Sequence, residues 1–383
     1  MKVILATPLY PPEIGGPATY TKELSERLRD VHAITIVAYA TTSEKIPGTT
    51  LITVSKRRTL PVRLLKYVWV LFKAARKADV IYAQNAVASG FPAALVSMAT
   101  GVPFVIKFVG DEAWERAAQL RQTNKQLEDF LAHPEGSLKI RLLMALQGWV
   151  LRRASKVTTP SAYLGEALVR VYRVSAARLV VNYNAAEKGE VTPFAAEVVP
   201  HQIVTTARLV EWKGIDGIIR ATALLAKEFP DVRLLIAGDG PEEATLKELA
   251  KETGVGERVQ FLGRVSRAET WHIRKTSEVY VLNSTYEGLP HTALTTFAAE
   301  IPIVATNIPG TNEAVYHEVS GLLVPTADDQ ALAHAIARLF KDKALCDKLT
   351  AGGKHILAEK FSWEAHLRTL ESILQSVCAD PRH

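Results

Sequence analysis

Short β-rich runs alternate with amphipathic stretches of helical length from one end of this chain to the other, and no other feature restricts its fold as tightly. The runs fall at Val3–Thr7, Ile34–Ala38, Val80–Ala83, Phe104–Phe108 and Lys156–Thr159, then at Ile203–Ala207, Arg233–Ala237, Val259–Leu262, Val279–Leu282 and Ile303–Thr306. Strands spaced by helices call for parallel sheets covered on both faces. Between Asn184 and His201 lies AAEKGEVTPFAAEVVP, which is polar, proline-marked and weakly periodic, and reads as a linker. At 383 residues the chain exceeds what one core ordinarily serves. The expectation is an α/β protein of two Rossmann-like domains, residues 1–190 and 191–361, followed by a helix over 362–383. That helix, N-capped by Ser362, has no place in the second sheet and is expected to cross back to the first domain.

The net charge of +6 is unevenly spread: residues 1–190 hold 26 Lys and Arg against 15 Asp and Glu, and the remainder hold 20 against 25. A basic domain joined to a mildly acidic one implies an anionic partner for the first, such as a membrane surface or a phosphorylated acceptor. No nucleic-acid reader motif accompanies the charge, so nucleic acid is not an expected partner. Cys346 and Cys378 form neither a metal-ligand spacing nor a disulfide framework, which suits a reducing compartment. The start, MKVILATPLYPP, resembles a first strand more than a signal peptide. The longest uncharged apolar stretch, Phe91 to Ile106, is broken by Pro92, Gly101 and Pro103 and falls short of a bilayer span. A cytoplasmic location is expected.

Chemistry is expected where glycines and cations follow strands. Gly15 and Gly16 come after the first strand and Pro17 opens a helix, a turn that either faces an anion with free N–H groups or simply joins strand to helix. It is not a G-x-G-x-x-G, which disfavours a dinucleotide. Arg208 and Lys213, in ARLVEWKG, would compensate a diphosphate as it becomes a leaving group, although two cations five apart are also common on solvated surfaces. Gly238 and Gly240, in AGDGPEEATL, allow a ligand close to the backbone, and Gly263 ends a short strand that can offer backbone groups to a flat base. Glu287 stands on a Gly-Pro turn, where a carboxylate either accepts hydrogen bonds from sugar hydroxyls or is a solvated loop acid.

Taken in order, PPEIGGPATYTKEL, PSAYLGEALVRVYRV, ARLVEWKG, AGDGPEEATLKELA, VQFLGRV, EGLPHTAL, PIVATNIPG and FSWEAHLRTLESIL resemble family 4 of the retaining glycosyltransferases over essentially the whole chain. The resemblance implies the GT-B fold of two facing Rossmann-like domains, a nucleoside-diphosphate sugar donor, a glycan or lipid-linked acceptor, and no cofactor or bound metal. It implies that Gly16, with Gly15 beside it, lies near the donor phosphates or the acceptor, and that Arg208 and Lys213 bind the diphosphate. Glu287 becomes the first acid of an E-x₇-E motif, with Gly288, Leu289 and Pro290 completing the donor-binding turn. Three positions depart from the family. Thr295 stands where the second acid usually grips the ribose, Glu300 where a glycine usually ends the following helix, and Val109 where a histidine often precedes a glycine. Asp111, close to Val109, is a candidate for the polar role near the sugar, with helix capping as the alternative.

Two stretches combine basic and apolar residues. In Lys56–Lys77 a basic cluster accompanies Trp69, Leu71 and Phe72; in Leu138–Lys156, Lys139, Arg141, Arg152, Arg153 and Lys156 surround Leu142, Met144, Leu146 and Trp149. Either both faces meet anionic lipid at the inner membrane face, or the apolar faces are core and the basic ones solvated. The expected activity is a metal-independent, hexosyltransferase-type transfer with retention. Its rivals are a non-catalytic sugar-nucleotide-binding scaffold and a nucleotide-sugar epimerase.

Overall fold

A computed structural model describes residues 1–13, 15–41, 43–186 and 197–379, so most of the expected linker, and the boundary at 190/191, lies outside the described residues. The chain forms two units. One comprises Met1–Asn182 together with the chain from Arg368 on, and the other Tyr183–Leu367.

The first unit holds β1 (Lys2–Thr7), β2 (Ala33–Tyr39), β3 (Thr50–Val54), β4 (Val80–Ala83), β5 (Phe104–Lys107), β6 (Lys156–Thr159) and β7 (Leu179–Val181), paired in the order 3-2-1-4-5-6-7. The second holds β8 (Val199–Thr206), β9 (Arg233–Ala237), β10 (Val259–Gly263), β11 (Ser277–Leu282), β12 (Ile303–Thr306) and β13 (Leu322–Val324), in the order 10-9-8-11-12-13. Every pairing is parallel. These are the two Rossmann-like sheets that the alternation predicts. The strands the sequence reading lacks, β3, β7 and β13, are all edge strands, where one ladder rather than two constrains the residues.

Alternation along each central strand sends neighbours to opposite faces. Val279 and Val281 join Ile203, Ile236 and the helices Ile215–Leu225 and Asp329–Lys341 in one cluster. Tyr280 and Leu282 join Val204, Ile303 and the helices His291–Ala299 and Lys343–Lys360 in another. A strand buried on both faces reads as a continuous apolar run, which is why these strands were legible. Each fully buried Ile, Val or Leu contributes roughly 1.5–3 kcal/mol, so a polar substitution at Val281 would break its layer.

Strand order reverses between β1 and β4 in the first sheet and between β8 and β11 in the second. At such a point the loops leaving the carboxyl ends diverge and open a crevice. The last helix, Trp363–Cys378, begins with Ser362 Oγ accepting from the Ala365 N–H at 3.2 Å. Its first turn belongs to the second unit, where His366 Nδ1 lies 2.7 Å from the Tyr183 carbonyl. Beyond Arg368 it belongs to the first, with Glu371 3.5 Å from His32 Nε2 and Leu370, Leu374 and Val377 buried.

Candidate functional site

The residues expected to hold a diphosphate collect at the β8–β11 switch point. Arg208 follows the end of β8 in a loop fixed by two backbone bonds, Ala207 N–H to Ala237 O at 3.0 Å and Leu209 N–H to Asp239 O at 2.8 Å. Gly238 makes that packing possible: its φ is +139°, and a Cβ there would sit 1.8 Å from the Ala207 carbonyl oxygen. The close approach at Gly238 is thus one of chain to chain, and Gly240 is crowded in the same way by Leu209. Gly263, at the end of β10, accepts the Gly238 N–H at 2.8 Å. The Arg208 side chain is exposed and makes no hydrogen bond or ion pair with any described residue.

Lys213 closes a one-turn 3₁₀ segment, Glu211–Lys213, and its Nζ donates to Glu287 Oε1 at 2.6 Å. Ser284 Oγ donates to the same oxygen at 2.8 Å, and Oε2 has no bond to a described residue. With side chains 22% and 11% exposed, the pair is shielded enough for both the charge and its direction to matter. The Glu287 turn is backed by the NIPG segment, where a Cβ on Gly310 would come within 1.9 Å of the Glu287 carbonyl oxygen. Gly288 leads on to Leu289 and Pro290, both buried, and the helix His291–Ala299 then starts without a side-chain cap, leaving its first N–H groups free of one.

Thr295 lies one turn into that helix. Its hydroxyl donates to the carbonyls of His291 and Thr292 at 3.1 and 3.0 Å and accepts from Arg274 Nη1 at 2.8 Å. Arg274, which the sequence reading did not single out, is 5% exposed, and its Nη2 donates to Thr206 Oγ1 at 2.6 Å. Its position in the last turn of the helix Arg267–Lys275 looks like an ordinary complement to the helix dipole. Only the missing acid at 295 signals anything more.

In the first unit, Gly15 has an extended backbone at φ 163° and accepts the N–H groups of Ala18 and Thr19 with its carbonyl. Gly16 is exposed, and a Cβ added to it meets nothing within 4 Å, so the fold itself has no need of glycine there. Asp111 takes the capping alternative. Its carboxylate is 1% exposed and accepts from the Trp114 N–H at 2.9 Å, from Gln147 Nε2 at 2.8 Å and from the Tyr172 hydroxyl. Burial raises its pKa, and the side chain is enclosed and committed. Val109 is 46% exposed. Lys107, buried at the end of β5, has its Nζ 3.7 Å from the centroid of the Tyr20 ring, and burial pushes its amine down to about 7.

The two basic-apolar stretches divide. Leu71 belongs to the core, whereas Leu65 and Trp69 on the helix Leu60–Ala75 and Leu138 and Leu142 on the helix Leu138–Arg153 are exposed, with Lys73 Nζ 4.7 Å over the Trp69 ring. Met98, on the helix Gly90–Thr100 that packs against both, is exposed as well. Among the described residues no helix is long and apolar enough to cross a membrane.

The glycosyl transferase 4-like domain model matches residues 15–185, and the glycosyl transferases group 1 model matches residues 195–356. The chain belongs to the group 1 glycosyltransferases. Within that family it is 36% identical over 163 residues to the lipopolysaccharide core biosynthesis glycosyltransferase LpsD of Rhizobium meliloti, covering 43% of this chain and 46% of that one. It is 24% identical to an uncharacterized glycosyltransferase of Methanocaldococcus jannaschii, with 95% of each chain covered. Anabaena HepE, solved in complex with UDP, superposes with a TM-score of 0.74 at 19% identity, covering 98% of this chain and all of that one. The chain spans about half the length of LpsD, so the likeness places the fold and family without carrying over LpsD's reaction.

Proposed function

We propose that this protein is a retaining, hexosyltransferase-type enzyme that moves a sugar from a nucleoside-diphosphate donor to an acceptor hydroxyl, with no cofactor and no bound metal. The observation that carries the proposal is the arrangement at the β8–β11 switch point. A guanidinium at Arg208 that bonds to no described side chain stands there with an ammonium at Lys213 locked to Glu287, whose second carboxylate oxygen likewise bonds to no described residue. The cations stabilise the departing diphosphate, and Glu287 Oε2 accepts from a sugar hydroxyl. In the step itself the bond from the anomeric carbon to the diphosphate oxygen breaks. The acceptor oxygen bonds to the same face of that carbon, and its proton passes to the departing oxygen. Glu287 is tied to Lys213 and Ser284, a carboxylate held for binding rather than for attack. Asp111, enclosed and committed, is left out of this machinery.

The first unit is assigned to the acceptor, a glycan or a lipid-linked precursor, with Gly16 offering open backbone. Leu65, Trp69, Met98, Leu138 and Leu142 among basic residues support docking on an anionic surface at the cytoplasmic side of a membrane.

UDP-, GDP- and ADP-sugars tested for thermal stabilisation would name the donor, and product analysis would then distinguish the roles. Consumption that requires acceptor supports a transferase, consumption without it an epimerase or hydrolase, and binding without consumption a scaffold. Complete loss of activity in chelator would overturn metal independence. Binding to anionic vesicles that does not weaken with salt would count against an electrostatic contact.

A further inference from the structure

We propose that Arg274 is the residue that reads the nucleotide end of the donor, and that it does so by donating N–H bonds to an oxygen acceptor such as a ribose oxygen. The proposal rests on the nucleotide-sugar reading above. Arg274 is a buried cation without a carboxylate: it makes no ion pair with a described residue, and its charge is met by the hydroxyls of Thr206 and Thr295 and by the Tyr280 ring, 5.2 Å from the guanidinium carbon. Its Nε is buried and has no hydrogen-bond partner among the described residues. Desolvating a guanidinium while leaving a donor unused is costly, and a fold that only needed to fill this space would be served by an apolar side chain.

The local bonding fixes the polarity of the site. Thr295 gives its hydroxyl proton to the carbonyls of its own helix and one lone pair to Arg274, so it has no proton left to offer a ligand. The donors that remain at this position belong to the guanidinium. Arg274 also ties together the two segments that carry the diphosphate site, since Thr206 is two residues from Arg208 and Thr295 is on the helix that leaves the Glu287 turn. Both threonines are half-buried, so the position borders solvent. A ligand here must present acceptors, the reverse of what a carboxylate at 295 would ask of it.

The reversal yields a test in which stability and affinity move in opposite directions. Thr295→Glu would place a carboxylate against Arg274, raising Tm by pairing the buried charge while weakening UDP binding about tenfold, because the N–H donors are consumed. Arg274→Gln should weaken UDP about tenfold as well. UDP is titrated calorimetrically into the full chain alongside Arg208→Ala, with Tm recorded for each variant. Tighter UDP binding by Thr295→Glu would overturn the proposal, and so would unchanged binding by a folded Arg274→Gln. If Arg274→Gln does not fold, Thr295→Glu decides alone. If Arg208→Ala abolishes binding while both other variants bind as the wild type does, only this proposal falls. If the wild type binds none of UDP, GDP and ADP, the nucleotide reading falls with it.

Discussion

Arg208 offers its whole guanidinium to solvent whereas Lys213 is already held by Glu287, so the two cations should answer differently to mutation. Alanine at either is expected to lower kcat on the order of 10²-fold if each stabilises the leaving diphosphate. Arg208→Ala should leave stability within about 0.5 kcal/mol, while Lys213→Ala strands a shielded carboxylate and should cost about 1–3 kcal/mol by urea denaturation. Near-normal turnover in both variants would remove the site. Lys107 sets a pH dependence. Its folded pKa, about 7, lies below that of the unfolded chain, so the unfolded state binds the extra proton. Stability contributed at this position therefore rises from pH 7 toward 10, by about 1–3 kcal/mol, the Tyr20 ring offsetting part of the burial cost. Lys107→Met should flatten that rise, and a wild-type-like pH profile in the variant would refute it. At this scale the sequence was legible where a residue's neighbours in the chain are also its neighbours in space. Arg208 and Lys213 stand out as candidates in that way, by their place just after a strand. Arg274 does not, because its partners are 21 and 68 residues away, and Asp111 could not be assigned without Gln147 and Tyr172 from distant helices.

The helix His291–Ala299 ends at Glu300, which adopts a left-handed conformation at φ +58°. An L-residue pays roughly 1–2 kcal/mol for that conformation where glycine pays almost nothing, and the exposed bond to Lys354, 3.0 Å, repays little. Glu300→Gly is therefore expected to stabilise the protein by about 1 kcal/mol, seen as a higher urea midpoint at unchanged m-value; destabilisation would refute the strain. The central strands were legible because burial on both faces leaves a continuous apolar run. The three-residue β7 and β13 carry too few residues to show a period, and β3 has only one buried residue among five. The stretch 56–77 was ambiguous for a related reason. Apolar residues at helical spacing do not say which of them turn inward, and here Leu71 does while Trp69 does not.

Two units on one chain need not lose stability together. A chain ended after Leu367 would lack Leu370, Leu374 and Val377, which are buried, and the Glu371 contact to His32. Such a truncation is expected to destabilise the first unit by several kcal/mol, on the scale of three apolar side chains withdrawn from the interior. The second unit should keep a cooperative unfolding transition and the nucleotide affinity proposed for it. Equal loss in both units, followed by hydrogen exchange, would contradict this division.

That same helix sets an order of events during synthesis. The sheet of the first unit emerges from the ribosome early, but the segment that finishes its packing is translated only after all of the second unit. The first half of the chain must therefore wait with an apolar surface uncovered while the second half is made. Sealing that surface has to follow synthesis of the second unit, and a nascent chain that stalls before Arg368 would be a ready client for chaperones.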